Sequence, residues 1–332
     1  MMRPAPASQS ALRSKGRVTI GSAARGGFSS IPDFESRPAC LELISGACCK
    51  MQPQAEEFMK GSERFRIGDY DCWTLADGEL TYPGWTVLPS EAEPPAEITA
   101  PYIALLVDTG STRILIDTGA GVLGPNTGKL PESLAATGFL PEDVHTVVLS
   151  HAHPDHVAGV QQFPNAAVVM MRNEFEFWMS AETQARLEAC EIYGLGPLEV
   201  VMAASVRDHV APARDRLRLL DRPTEIAAGI LVFPAPGHTP GHAAVLVSSG
   251  RQQLLYVGDA LVHPAQFEHP DWVSAFDLSP AETVRTRKQL LERAVADRCL
   301  FAGYHLPGGL GAVEARQASF RWEPAVAAEM IA

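Results

Sequence analysis

Val147-Val148-Leu149-Ser150-His151-Ala152-His153-Pro154-Asp155-His156 sets four metal-capable side chains within six residues, directly behind an apolar run. In an extended loop His151 and His153, two apart, project to one side, while Asp155 and His156 turn toward a neighbouring point. The spacing suits two metal ions rather than one. Neutral imidazole and carboxylate are ligands for Zn²⁺ and similar borderline ions, and the open position that a catalytic metal keeps belongs to water. A packing role needs none of this.

Further ligands for such a site stand downstream, each in a loop behind a strand-like run. Ile230-Leu231-Val232-Phe233 leads into Pro236-Gly237-His238-Thr239-Pro240-Gly241-His242, where glycine and proline force turns and let the backbone approach a metal. His238 is the natural ligand there. Leu254-Leu255-Tyr256-Val257 runs into Gly258-Asp259, whose carboxylate could bridge two ions, and Cys299-Leu300-Phe301-Ala302 runs into Gly303-Tyr304-His305. Taken singly each is a weak signal. Their common placement at strand ends is what connects them.

Through HAHPDH, the later His238, the Gly258-Asp259 pair and the final His305, the chain resembles the metallo-β-lactamase-fold hydrolase superfamily, over about Phe65 to Pro324. The resemblance implies that His151, His153 and His238 hold a first metal and Asp155, His156 and His305 a second, with Asp259 bridging. It also implies a four-layer αβ/βα sandwich within the α/β class, which periodicity alone reduces to alternating strands and helices. GHTPGH, Gly258-Asp259 followed by Gln266-Phe267, and the ending Arg321-Trp322-Glu323-Pro324 look like the branch containing methyl parathion hydrolase and related lactonase-like enzymes. True β-lactamases of this fold carry cysteine or a non-ligand serine where Asp259 stands, and the di-iron redox members carry glutamate in place of His153. Both are disfavoured. Persulfide dioxygenases share much of the ligand set around a single iron and remain an alternative, as does a metal-stabilised binding module.

The expected chemistry is hydrolysis with two Zn²⁺ or similar divalent ions as cofactors. A water shared between them loses its proton near neutral pH and attacks, while the metals polarise the substrate oxygen and stabilise the leaving group. Asp155 and Asp259 hold the metals and are candidates to shuttle a proton. The expected substrate is a small ester or lactone, with phosphotriesters second.

Charge and composition point the same way. The chain has 332 residues, 46% hydrophobic, which is ample for one large core. Its formal charge of −12 understates the acidity of the body, because residues 1–30 hold Arg3, Arg13, Lys15, Arg17 and Arg25 and no acid. Such a body repels a phosphate backbone, so a nucleic-acid partner is not expected and a small-molecule substrate is. No apolar run reaches the length of a membrane span. Cys40, Cys48, Cys49, Cys72, Cys190 and Cys299 are scattered without a disulfide framework, which suits a reducing, cytoplasmic setting. A homodimer is compatible with all of this.

Residues 1–60, rich in serine, alanine, proline and glycine, read as a disordered extension, and 61–332 as the catalytic domain. The extension has the composition of a transit peptide, yet translation could equally start at Met51 or Met59. From Phe65 the pattern is that of a folded domain. Hairpins are expected over Arg66–Gly78 and over Tyr102–Val107 with Arg113–Ile116, then strands at Thr146–Ser150 and Ala167–Met171 and a helical stretch from Glu174. Strands follow near Leu217–Leu219, Ile230–Phe233, Ala243–Val247 and Leu254–Val257. Ser279 and Pro280 open an amphipathic helix that runs toward Cys299.

Asp117, at the end of the strand Arg113–Ile116, is either an acceptor that orients a ligand histidine or the cap of its own turn. For the substrate pocket, Phe175, Phe177 and Trp178 with the irregular stretch Tyr193-Gly194-Leu195-Gly196-Pro197 are candidates for an apolar wall or lid. Trp178 matches an aromatic of the related phosphotriester hydrolase, with core packing as the alternative. His263 and His269 are candidates for the rim, with helix capping or surface exposure as the preferred alternative, while His145, His209 and His242 read as structural.

Overall fold

A computed structural model describes residues 63–325; the expectations for residues 1–60 therefore lie outside the described residues. Two seven-stranded sheets dominate. The first contains β1 (Glu63–Ile67), β2 (Tyr70–Pro83), β3 (Glu97–Asp108), β4 (Arg113–Ile116), β5 (Thr146–Val148), β6 (Ala167–Met171) and β7 (Leu217–Leu220), in that spatial order. The second contains β8 (Thr224–Ala227), β9 (Ile230–Pro234), β10 (Ala243–Ser249), β11 (Gln252–Tyr256), β12 (Leu300–Ala302), β13 (Leu310–Ala315) and β14 (Phe320–Pro324), again in sequence order. The helices are α1 (Gly84–Val87), α2 (Leu130–Ala135), α3 (Pro154–Val157), α4 (Arg172–Met179), α5 (Ala181–Glu188), α6 (Pro197–Ser205), α7 (Ala265–Glu268) and α8 (Pro280–Asp297).

Alternation along the strands makes the layers. Val245 and Val247 on β10, with Leu254 and Tyr256 on β11, point into the large core shared with Phe65, Ile67 and Leu105 of the first sheet. Their neighbours Ala244, Leu246 and Leu255 point the other way, onto Leu290, Leu291 and Ala294 of α8. A period of two on the strands meets a period near 3.6 on α8, and each face finds its own apolar partner. The four-layer sandwich is the fold.

Both expected hairpins form, but the first reaches further than its sequence pattern. Instead of ending at Gly78, β2 continues to Pro83, paired with β3 as far as Glu97. The register shifts between Ala76 and Gly78, so the glycine that resembled a turn is a bulge within a long strand. That extension carries Leu80 and Tyr82 up beside the metal-binding loops.

The parallel pairs β4–β5, β5–β6 and β11–β12 direct strand ends to one edge of the molecule. Backbone groups in the loops beyond those ends lack ladder partners, which leaves them free for ligand-bearing turns. No helix among the described residues is long and apolar enough to cross a membrane.

Candidate metal centre

His151, His153, Asp155 and His156 follow β5, His238 follows β9, Asp259 follows β11 and His305 follows β12. Their donor atoms form two groups: His151, His153, His238 and Asp259 in one, Asp155, His156 and His305 in the other, each within 4.8 Å. Each group draws donors from both sheets. Asp259 lies between the groups, with Oδ1 3.3 Å from His156 Nε2 and Oδ2 3.2 Å from His305 Nε2, 3.4 Å from His238 Nε2 and 3.8 Å from His151 Nε2. Asp155 Oδ2 lies 3.6 Å from His156 Nε2 and 3.4 Å from His305 Nε2.

The far side of each imidazole fixes which nitrogen is free for a metal. His156 Nδ1 donates to Asp117 Oδ2 at 2.9 Å, His238 Nδ1 to Asp277 Oδ1 at 2.9 Å, and His305 Nδ1 to the Pro101 carbonyl at 3.0 Å. Carboxylates and carbonyls only accept, so these Nδ1 atoms carry the proton and each Nε2 presents a lone pair. Ser150 Oγ donates to Asp117 Oδ2 at 2.8 Å, which leaves it to accept from His151 Nδ1 at 3.1 Å. His153 is turned around: Tyr193 holds its Nε2 at 2.9 Å, and its Nδ1 faces the group.

Buried lone pairs in this arrangement need a cation. His151 Nε2, His156 Nε2 and Asp259 Oδ1 are buried without a hydrogen-bond partner, and His238 Nε2 sits 3.0 Å from His153 Nδ1. Unpaired buried polar atoms cost about 1–3 kcal/mol each, so three in one spot is a cost that coordination removes. Nitrogen and carboxylate donors fit a zinc-like ion. Burial and then neighbouring imidazoles push His151 and His153 well below the usual histidine range, which keeps both neutral and ready to coordinate. At His156 and His305 burial opposes charge, but Asp259 and Asp155 outweigh it and raise both, so the carboxylates draw positive charge to these two Nε2 atoms, and a metal would take the place of a proton there.

Supporting carboxylates join the loops. Asp117, held at φ +63°, accepts from Ser150 N, Ser150 Oγ, His156 Nδ1 and Tyr256 Oη at 2.7–2.9 Å. It orients His156, and none of these partners lies in its own turn at Thr118 and Gly119. Glu174, fully buried at the start of α4, accepts from Ala152 N, Trp178 Nε1, Thr239 Oγ1 and Gly241 N at 2.7–2.9 Å. It thereby ties the His151–His156 loop to the His238 loop. Gly258 sits at φ +49°, where a Cβ would come within 2.7 Å of His242 Nε2. That close approach lets Asp259 N donate to His242 Nε2 at 3.0 Å, so His242 holds Asp259 in place from behind.

Above the donors opens a cavity of about 760 Å³ counted out to its mouth, lined by Leu80, Val87, Leu123, Leu198, Val201, Met202 and Phe276 and by Tyr82 and Tyr102. Trp178, proposed for this rim, is elsewhere: it is fully buried, packs edge-on against His153 with centroids 5.5 Å apart, and does not line the cavity. Its indole donates to Glu174, a partner four residues back on the helix that sequence reading had no means of assigning. His263 also stands off the cavity, accepting from Ala265 N at 3.1 Å as a cap to α7, while adjacent Val262 lines the wall. The irregular stretch 193–197 does not line the cavity; Leu198, Val201 and Met202 of α6, which continues from it, form the wall beside His153.

Residues 102–302 match the metallo-beta-lactamase superfamily, and the chain belongs to that superfamily. It is a metal-dependent hydrolase of that fold. An N-acyl homoserine lactonase from a Bacillus species is 26% identical over 217 residues, covering 61% of this chain and 74% of the relative. A probable metallo-hydrolase of Mycobacterium tuberculosis is 28% identical over 196 residues, covering 48% of this chain and 56% of the relative. Among solved structures, AidC, a dizinc quorum-quenching lactonase in complex with a product, superposes with a TM-score of 0.72 at 27% identity, covering 80% of this chain and 98% of its own. The hydrolase AbOPH gives 0.73 at 26% identity over the same shares.

Proposed function

We propose that this protein is a dinuclear zinc lactonase that opens small neutral lactones bearing an apolar chain, with N-acyl homoserine lactones as the first class to test. The observation that carries this is the pair of donor groups with Asp259 between them beneath a largely apolar cavity. The second group, Asp155, His156 and His305, favours two ions over the single iron of a dioxygenase. Similarity to an N-acyl homoserine lactonase and to a dizinc lactonase supports the substrate class and the metal.

Two divalent ions bound there supply Lewis acidity and activated water near neutral pH. The chain's own residues do the rest. Asp117, Asp277, Ser150, Tyr193 and the Pro101 carbonyl hold the five imidazoles in the tautomers that coordinate. Asp155, half-buried at the cavity floor, is the carboxylate placed to pass a proton to a leaving alkoxide. The hydrocarbon wall excludes water and grips an acyl chain without selecting charge.

Elemental analysis of protein purified without chelator, run beside a panel of lactone, aryl ester, phosphotriester and thioester substrates, tests this. About two zinc-like ions per chain and fastest turnover of lactones are expected. One tightly held iron with oxygen consumption on a persulfide would reject it.

A further inference from the structure

Apart from the metal-binding side chains, the cavity wall is hydrocarbon with one interruption, the phenols of Tyr82 on β2 and Tyr102 on β3. Their hydroxyls hydrogen-bond to each other. Two hydroxyls carry two protons, and the bond between them uses one. Tyr102 is buried, stacked on Tyr304 at 5.6 Å and edge-on to His305 at 5.3 Å. Among the described residues its hydroxyl has Tyr82 as its one hydrogen-bond partner. Donation from Tyr102 to Tyr82 leaves the Tyr82 proton free for another acceptor, on a residue that lines the cavity and whose ring is steadied edge-on by Phe276 at 5.8 Å. An O–H that accepts one hydrogen bond is polarised and donates the next more strongly.

We infer that Tyr82 is the specificity-determining donor of this cavity and takes a neutral carbonyl oxygen that the substrate carries away from the bond being cut. This rests on the lactonase proposal, because it assumes that the scissile group lies at Asp155, Asp259 and His305. The chemistry chooses the acceptor. Among the described residues no Lys or Arg lines the wall to meet a second carboxylate or phosphate, whereas a phenol matches an amide carbonyl. A site built around such a donor penalises the analogue that lacks the acceptor, because the half-buried hydroxyl, covered by the bound substrate, is then left unmatched.

The test compares kcat/KM of the metal-loaded protein on N-hexanoyl-L-homoserine lactone, which carries an amide carbonyl beside the ring, and on γ-decalactone, which has an apolar chain and no amide. Tyr82→Phe should cut the preference for the amide-bearing lactone about tenfold, chiefly through KM, as expected for one buried neutral hydrogen bond. Tyr102→Phe, which removes only the polarising partner, should cut that preference less. An unchanged preference in Tyr82→Phe, or a larger loss in Tyr102→Phe, overturns the assignment. If the wild-type protein opens neither lactone, the lactonase proposal falls by itself. Calorimetric binding of the intact N-hexanoyl-L-homoserine lactone then decides for Tyr82: weaker binding by Tyr82→Phe upholds the donor, and equal or undetectable binding overturns it.

Discussion

The floor of the cavity and its wall are built by different means. Every donor of the floor stands a few residues beyond a strand end, and four of the seven lie within Val147–His156. The wall is gathered from the far end of β2, the start of β3, the loop at Leu123, α6 and the loop at Phe276, none adjacent in sequence. Metal ligation demands particular atoms and tolerates few substitutes, whereas an apolar wall demands only shape. The floor therefore fixes the chemistry of the site, and the wall is free to set its substrate.

The largest expected effect removes the shared element of the floor. Asp259→Ala should lower turnover by on the order of 10³-fold and release metal, with the fold retained by circular dichroism. Unchanged metal content and rate would reduce Asp259 to a turn residue and erase the distinction at its base. Trp178→Ala probes the boundary, since Trp178 backs His153 rather than facing substrate. It should cost about 3–5 kcal/mol in chemical denaturation and leave the ranking of small and bulky lactones unaltered. Selective loss of the bulky ones would return Trp178 to the wall.

Asp117→Asn tests the support beneath the floor. Replacing one carboxylate oxygen that meets Ser150, His156 and Tyr256 should weaken metal retention about 10–100-fold in a chelator competition. A smaller effect belongs to the wall itself. Phe276→Ala should lower kcat/KM on long-chain lactones roughly tenfold and on short-chain ones less, at full metal content. Equal losses along the chain-length series would mean that the acyl group binds elsewhere. The smallest effect is expected from a chain beginning at Met59, which should bind metal and turn over substrate as the full chain does. Insolubility or lost activity would show that the segment before it packs on the domain or builds an interface.

Legibility in the sequence followed the same division. HAHPDH, GHTPGH, Gly258-Asp259 and His305 were readable because each couples a donor to its own local turn, and most strand positions were readable from apolar runs of four or five residues. What escaped were partnerships across long separations. Tyr193 is 40 residues from His153, and Asp277 is 39 from His238. Glu174, read only as the start of a helix, joins two loops at Ala152 and Gly241. Nothing local distinguishes such a carboxylate from a solvated one at a helix start. Tyr82 was hidden because Gly78 resembled the end of a strand, and a bulge and a turn share the same residue preference.

The two donor groups each take ligands from both sheets, and this gives a bound ion a mechanical meaning. Unfolding that parts the sheets must tear every ion from its shell, so the domain is clasped at one edge by chemistry that depends on free metal concentration. By mass action an ion at a hundred times its dissociation constant adds about 2.7 kcal/mol to the folded state. The melting temperature of this protein is therefore a property of its surroundings as much as of its sequence. In a metal-starved compartment, the first consequence of scarcity would be a shorter lifetime of the folded chain.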